Sequence, residues 1–401
     1  MYSTFARERN EVEELEFTQK DLENAVADHK KLELTESDAN GMIEYFNKTS
    51  ADNQNFFHLC RFGKDGALQD VVWVDARSRA AYEEFSDVVC FDSTYLTDKF
   101  HLPFVVFIGV NHHGQSILLG CALISWETAE TYMWVMRTWL HFMGGKAPIS
   151  ILTDLDALNR KAVYVTISAG LYDERNMWIP SYLKHFFWAG MKTTQRSESF
   201  NHFFKGYVDK NTTLSEFVLR YCDAMQIWAE AERIADANTL RYVKHLATDF
   251  LAEELFQKCY TDSKIKEVQR ECTKSLYVHC SDQIELCENN IEFILEDCVW
   301  IKPKGARKES GTKIWRCYKV LYDAHSCEAC CDCKHFECHG IICRHMNHVY
   351  DLNSEGIVPE KYVLRRWRKD VQRKHTRVKV AYLDPLKTDE VRQFRSLNLT
   401  S

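Results

Sequence analysis

Hydrophobic and polar positions change their period along the 401-residue chain. From Asn55 the apolar runs are short and β-rich. Phe56-Phe-His-Leu-Cys60 and Val71-Val-Trp-Val74 flank a turn at Gly63-Lys-Asp-Gly66, the pattern of a hairpin. Residues 87–92, 103–110 and 115–123 predict three more strands, the last two joined by the tight turn Asn111-His-His-Gly114. Ala129, Met133, Met136, Leu140 and Met143 then recur at helical spacing, closed by Gly144-Gly145. Residues 148–154 read as a further strand. The order after the hairpin is β-β-β-α-β, and two of these strands end in aspartate.

Beyond Val208 the period becomes helical. Thr213-Leu-Ser-Glu216 matches a capping box. Leu214, Phe217, Val218, Tyr221, Met225 and Trp228 form one apolar stripe, read as core, and the helical pattern runs with breaks to about residue 286. Residues 313–321 predict a strand leading into a cysteine cluster, while residues 11–34 predict a solvated helix.

Composition narrows the function classes. Only 6 prolines and 15 glycines exclude a collagen-like or disordered chain. No apolar run approaches the roughly 20 residues of a membrane helix, and residues 1–9 hold no apolar segment of a secretory signal. A net charge of −7 argues against coating nucleic acid by bulk charge. That average conceals a local −6 over residues 1–40 and +8 over residues 361–380. Arg365, Arg366, Arg368, Lys369, Arg373 and Lys374 could meet phosphates or an import receptor.

Sixteen cysteines are unevenly spread, with six of them within residues 327–343. In a reducing compartment such a cluster reads as metal ligands. Cys331-x-Cys333, nine residues, then Cys343-x-His345 offers three thiolates and one imidazole, the donor set of a closed structural Zn²⁺ site. Cys330, Cys338, His335, His339 and His348 are further candidate ligands, and Cys327-x-x-Cys330 is a second pair, with no thioredoxin-like pattern around it. The ten remaining cysteines read mostly as small buried hydrophobes.

The acids at strand ends carry a second chemistry. In a β-β-β-α-β sheet of ribonuclease-H type the first and fourth strands are neighbours. That would bring Asp92 and Asp154 to one shared Mg²⁺, with Glu198 from a later helix as third carboxylate. An aspartate after a strand also serves as a turn former or helix cap.

Several motifs resemble the transposase core of Mutator-like elements, and more closely the plant far-red-impaired-response-related proteins. They include Asp92-Ser-Thr-Tyr95, Gly109-Val-Asn-His-His-Gly-Gln115, Thr153-Asp-Leu-Asp156, Trp178-Ile-Pro-Ser-Tyr-Leu-Lys184 and Phe187-Trp-Ala-Gly-Met-Lys-Thr-Thr-Gln-Arg-Ser-Glu-Ser199. The resemblance implies an α+β or α/β fold: an RNase-H-like transposase core, a helical region and a small zinc finger of SWIM type. Matched residue by residue, it makes Asp92, Asp154 and Glu198 the acids of a DDE triad. Two departures stand out. The family's N-terminal zinc-dependent DNA-binding domain is expected to be missing, and part of the core is expected to be deleted near 163–171. The implied division is 1–40 acidic helix, 41–210 core, 211–300 helical region, 301–350 zinc finger and 351–401 basic tail.

By this resemblance the chain is a nuclear, transposase-derived regulator of transcription. It would bind zinc, DNA and partner proteins, with homo- or hetero-oligomers open and no membrane expected. Two alternatives stay open. One is a working DDE nuclease using two Mg²⁺ ions. The other is a truncated form that pairs with full-length relatives and blocks them, with residues 211–290 as the pairing block.

Overall fold

The computed structural model describes residues 38–64, 66, 68–95, 102–153, 155, 163, 187–191, 195–208, 212–287, 289–305, 309–353 and 358–383. The acidic segment 1–37, Asp154 and most of the stretch around the expected deletion lie outside them.

Helix α1 (Asp38–Asp52) sends Met42 and Phe46 into the core. Strands β1 (Phe57–Phe62) and β2 (Leu68–Val74) make the expected antiparallel hairpin. Helix α2 (Ala76–Phe85) starts where the Asp75 carboxylate accepts the Ser78 amide at 2.8 Å. Strands β3 (Val88–Tyr95), β4 (Pro103–Val110) and β5 (Ser116–Leu123), helix α3 (Ala129–Phe142) and strand β6 (Ser150–Leu152) follow in the predicted order. They form a six-stranded sheet ordered β1-β2-β5-β4-β3-β6. Every pairing is antiparallel except β3 with β6, which run parallel with Cys90 opposite Leu152.

Both faces of this sheet are covered, which explains the unbroken apolar run in β4. Val89, Phe91, Val105, Phe107 and Leu119 face α2 and α3. Trp139 of α3 stacks on Phe107 with ring centroids 4.2 Å apart, and its indole donates to the Leu119 carbonyl. Gly120 makes that contact possible, since a Cβ there would lie 2.8 Å from the Trp139 ring. Val88, Cys90, Phe104, Val106 and Ile108 pack on the other side against α4 (Gln195–Lys205) and α5 (Leu214–Arg241). The capping box at Thr213 and Glu216 forms in both directions, and the stripe from Leu214 to Met225 is buried as read.

Helices α6 (Leu251–Cys259) and α7 (Asp262–Ser275) lead to a second sheet. It has four antiparallel strands in the order β10-β9-β8-β7: β7 (His279–Cys287), β8 (Asn290–Ile301), β9 (Ser310–Asp323) and β10 (Glu328–Cys331). The helical pattern expected up to residue 286 therefore stops at Ser275. Pairing with β8 makes 279–287 extended, a tertiary effect that local periodicity does not register. The expected boundary at residue 300 falls inside β8. One face of this sheet buries Phe293, Leu295, Val320 and Tyr322, while β7 is exposed along its whole length. For that reason Cys280, Cys287 and Cys317 lie at the surface rather than in a core, unlike Cys90, Cys121, Cys272 and Cys298.

Short helices α8 (His335–His339) and α9 (Arg344–Leu352) pack on the covered face. The chain from 358 to 383 then runs back over the first sheet as a strap of 3₁₀ turns, with Trp367 and His375 fully buried.

Candidate metal centre

The cysteine cluster closes where the second sheet meets α9. Cys331 ends β10, and Cys333 sits in the turn that follows, whose next residue, Lys334, takes left-handed backbone (φ 56°). Gly340 ends α8 in the left-handed region, where a Cβ would clash with Leu364, Phe187 and Trp367. Cys343 then caps α9, its sulfur accepting the Met346 amide at 3.4 Å, and His345 follows in the first turn. The ligand atoms of Cys331, Cys333, Cys343 and His345 all lie within 4.8 Å of one another. Cys331, Cys343 and His345 are buried and Cys333 is partly so.

The imidazole orientation is fixed from outside the cluster. His345 Nδ1 faces the Cys331 sulfur at 3.5 Å, and Nε2 faces Asp297 Oδ2 of β8 at 3.3 Å. Tyr318 of β9 stacks on the ring at 4.1 Å, and the Arg344 guanidinium also pairs with Asp297. A carboxylate behind an imidazole is the usual device for orienting a metal-bound histidine. Burial alone would raise Asp297, but hydrogen bonds from His345 and Arg344 outweigh it and hold its carboxyl below the usual range. Thiols of Cys331 and Cys343 hydrogen-bond to Cys333 and hold it well below the usual thiol range. This Cys₃His arrangement can bind a metal such as zinc.

The other candidate ligands do not join it. Cys330 is exposed and faces Lys334 and Glu337, and the His335 and His339 rings stack on each other at 4.3 Å. Among the described residues no ligand cluster includes Cys327, Cys330 or Cys338. Asp297 was not singled out from the sequence. It lies 34 positions before Cys331 and only strand pairing brings it near.

The predicted acids are placed in part. Asp92 is buried on β3, where Asn201 Nδ2 of α4 donates to its Oδ2 at 3.2 Å. Ser197 meets Cys90 at 3.4 Å, so α4 runs along β3, and Glu198 lies one turn before Asn201 but exposed. Asp154 lies outside the described residues, so the triad is not assembled here.

All six predicted basic residues meet a partner within the chain. Arg366 is buried against Asp87 and the Val110 carbonyl. Arg373, also buried, pairs with Glu84, which Arg365 shares. Arg368 pairs with Asp370, Lys374 with Glu83, and Lys369 donates to the Gln257 carbonyl. Arg365 and Lys374 keep about 63% of their side-chain surface exposed, and exposed pairs of this kind are weak enough to exchange for phosphate. Arg366, Arg373 and Lys369 tie the strap to the rest of the fold, while the Arg368 side chain pairs within it, with Asp370.

A family model described as the MULE transposase domain matches residues 88–169, which takes in β3 to β6. The match takes in four of the six strands of the first sheet, with β1 and β2 outside it. Over most of its length the chain is a homologue of the FAR1-related proteins of Arabidopsis thaliana. It is 30% identical to Protein FAR-RED IMPAIRED RESPONSE 1 over 88% of this chain and 49% of that protein. It is 30% identical to Protein FAR1-RELATED SEQUENCE 6 over 89% of this chain and 59% of the relative. For Protein FAR1-RELATED SEQUENCE 5 the figures are 27%, 92% and 53%. The chain thus spans about half the length of the curated relatives it matches. The first alignment, 419 positions, is longer than the 401-residue chain, so that relative carries residues with no counterpart here. No solved structure matches the chain. Among the described residues no helix is long and apolar enough to cross a membrane.

Proposed function

We propose that the chain is a transposase-derived regulator, acting in the nucleus, in which a zinc-stabilised SWIM-type module is joined to an RNase-H-like scaffold. The observation that carries this reading is the buried Cys₃His cluster with Asp297 behind its imidazole. The scaffold assignment is supported by the order β5-β4-β3-β6 with β3 parallel to β6. A core shortened near 163–171 belongs to the same proposal. Zinc would fix β10, the turn and α9 as one unit, and exposed basic residues such as Arg365 and Lys374 would contact DNA phosphates.

Co²⁺ loading tests the zinc site. The protein should show thiolate-to-metal charge-transfer absorption that disappears in Cys343→Ser. Absence of that absorption in the wild type overturns the assignment. For DNA, affinity for duplex should fall steeply between 50 and 200 mM salt. No binding at low salt removes the DNA part. A protein partner is then supported by the exposed apolar residues Ile227, Ile234 and Leu240 on α5.

Retained nuclease activity is a second reading, favoured by Glu198 standing one turn from the residue that touches Asp92. Mg²⁺-dependent nicking lost in Asp92→Asn would establish it. No nicking alongside intact DNA binding would leave the scaffold role.

A further inference from the structure

A second set of metal-ligating side chains lies far from the cysteines, where the β4–β5 turn meets α5. His112 and His113 are consecutive and both buried. Asn111 shapes the turn, its Oδ1 accepting the amides of His113 at 3.0 Å and Gln115 at 2.9 Å. The two rings end with centroids 4.2 Å apart, and each Nε2 reaches Asp236 Oδ1 of α5 at 2.8 Å.

One carboxylate oxygen receiving two imidazoles is an uneconomical arrangement for protein alone. Each Nδ1 is left buried and, among the described residues, without a hydrogen-bond partner. A neutral imidazole donating through Nε2 carries an unfilled acceptor at Nδ1, and a buried orphan of that kind costs about 1–3 kcal/mol. A divalent ion reverses the roles. Both Nε2 lone pairs and the carboxylate then point at the ion, and each Nδ1 becomes N–H. That of His112 lies 3.8 Å from Glu232 Oε1, beyond hydrogen-bond length but in reach of its charge, and that of His113 has no hydrogen-bond partner among the described residues. Tetrahedral donors about 2.0 Å from zinc lie about 3.3 Å apart, so the trio needs to open by roughly half an ångström. The Asp236 side chain is 34% exposed, which provides entry and room for a water ligand.

The neighbouring trio His112, Glu232 and His375 is a poorer cage. Glu232 Oε1 already accepts Asn111 at 2.7 Å and His375 at 3.0 Å, and its other oxygen pairs with Arg77, a fixed cation. Arg373 faces Asp236 from the strap but is paired with Glu84.

We propose that His112, His113 and Asp236 form a second zinc site, of open His₂Asp type, with water completing the coordination. The test is metal analysis of the full chain loaded with Zn²⁺ alone and freed of excess by gel filtration. Two zinc ions per chain are expected in the wild type, and one in Cys343→Ser, in His113→Gln and in Asp236→Asn. Asp236 is partly exposed and Asn keeps its shape and an acceptor oxygen, so this variant should keep the wild-type circular dichroism even where His113→Gln does not fold. In the Cys343→Ser background, Co²⁺ should give d–d bands without thiolate charge transfer, and adding Asp236→Asn should abolish them. One zinc per wild-type chain, or two in Asp236→Asn, overturns the proposal. So does a Co²⁺ spectrum in Cys343→Ser that ignores Asp236.

Discussion

The two sheets of this protein solve the burial problem differently. The six-stranded sheet has helices on both faces, and its central strand β4 is apolar at every position. The four-stranded sheet has one covered face, an exposed edge strand β7 and a modest apolar layer. The first has enough buried area to hold its shape by packing. The buried face of the second, with Phe293, Leu295, Val320 and Tyr322, belongs to one continuous core cluster with Val88, Cys90 and Phe104 of the first. Three cysteines and a histidine stand at the margin of that shared core, where a structural metal would fix local geometry.

Breaking the Cys₃His cluster should give the largest and most one-sided effect. In Cys343→Ser, or after chelation, hydrogen exchange across 328–352 should lose its protection, while β3, β4 and β5 keep theirs. Uniform loss in both sheets would show that the two are one cooperative unit. Trp139→Ala reverses the test. It should cost the first sheet about 3–5 kcal/mol, read as a lower urea midpoint, with the Co²⁺–thiolate spectrum unchanged. Asp297→Asn sharpens the role of the imidazole's partner. Zinc affinity should drop about 10–100-fold in competition with a chromophoric chelator, with all four ligands still present.

Acid probes the first sheet through Glu232. Burial alone would raise this carboxyl, but His375, Arg77 and His112 outweigh it and bring it down to about 2. Its stabilising contribution is therefore complete above its ordinary value of about 4.5 and fades as pH falls through that value toward 2. Glu232→Gln should be less stable than the wild type at pH 6, and the gap should narrow as pH falls from 5 to 3. A gap that stays constant with pH would assign the loss to packing.

The sequence made the first sheet legible because its information is local. Each strand, the turn at Asn111, the cap at Thr213 and helix α3 are written in consecutive residues. The four zinc-type ligands were legible for the same reason, falling within 15 positions. What escaped depends on long-range pairing. Strand β7 exists because β8 pairs with it, and Asp297 reaches His345 only across the sheet. The counter-charges of the basic run, Glu83, Glu84 and Asp87, escaped because they lie some 280–290 positions earlier. His112 and His113 were read only as turn residues, since Asp236 is more than 120 positions away.

The strap also sets an order of assembly. Its Arg366 and Arg373 fill sites on α2 and on the ends of β3 and β4, all of which are synthesised long before them. At about 5–20 residues per second, translation from β6 to residue 383 takes roughly 10–50 seconds. Until then Glu83, Glu84, Asp87 and the Val110 carbonyl lack the partners they have in the finished fold. The fold is thus finished from its far end, and early release of the polypeptide would leave those groups without their partners.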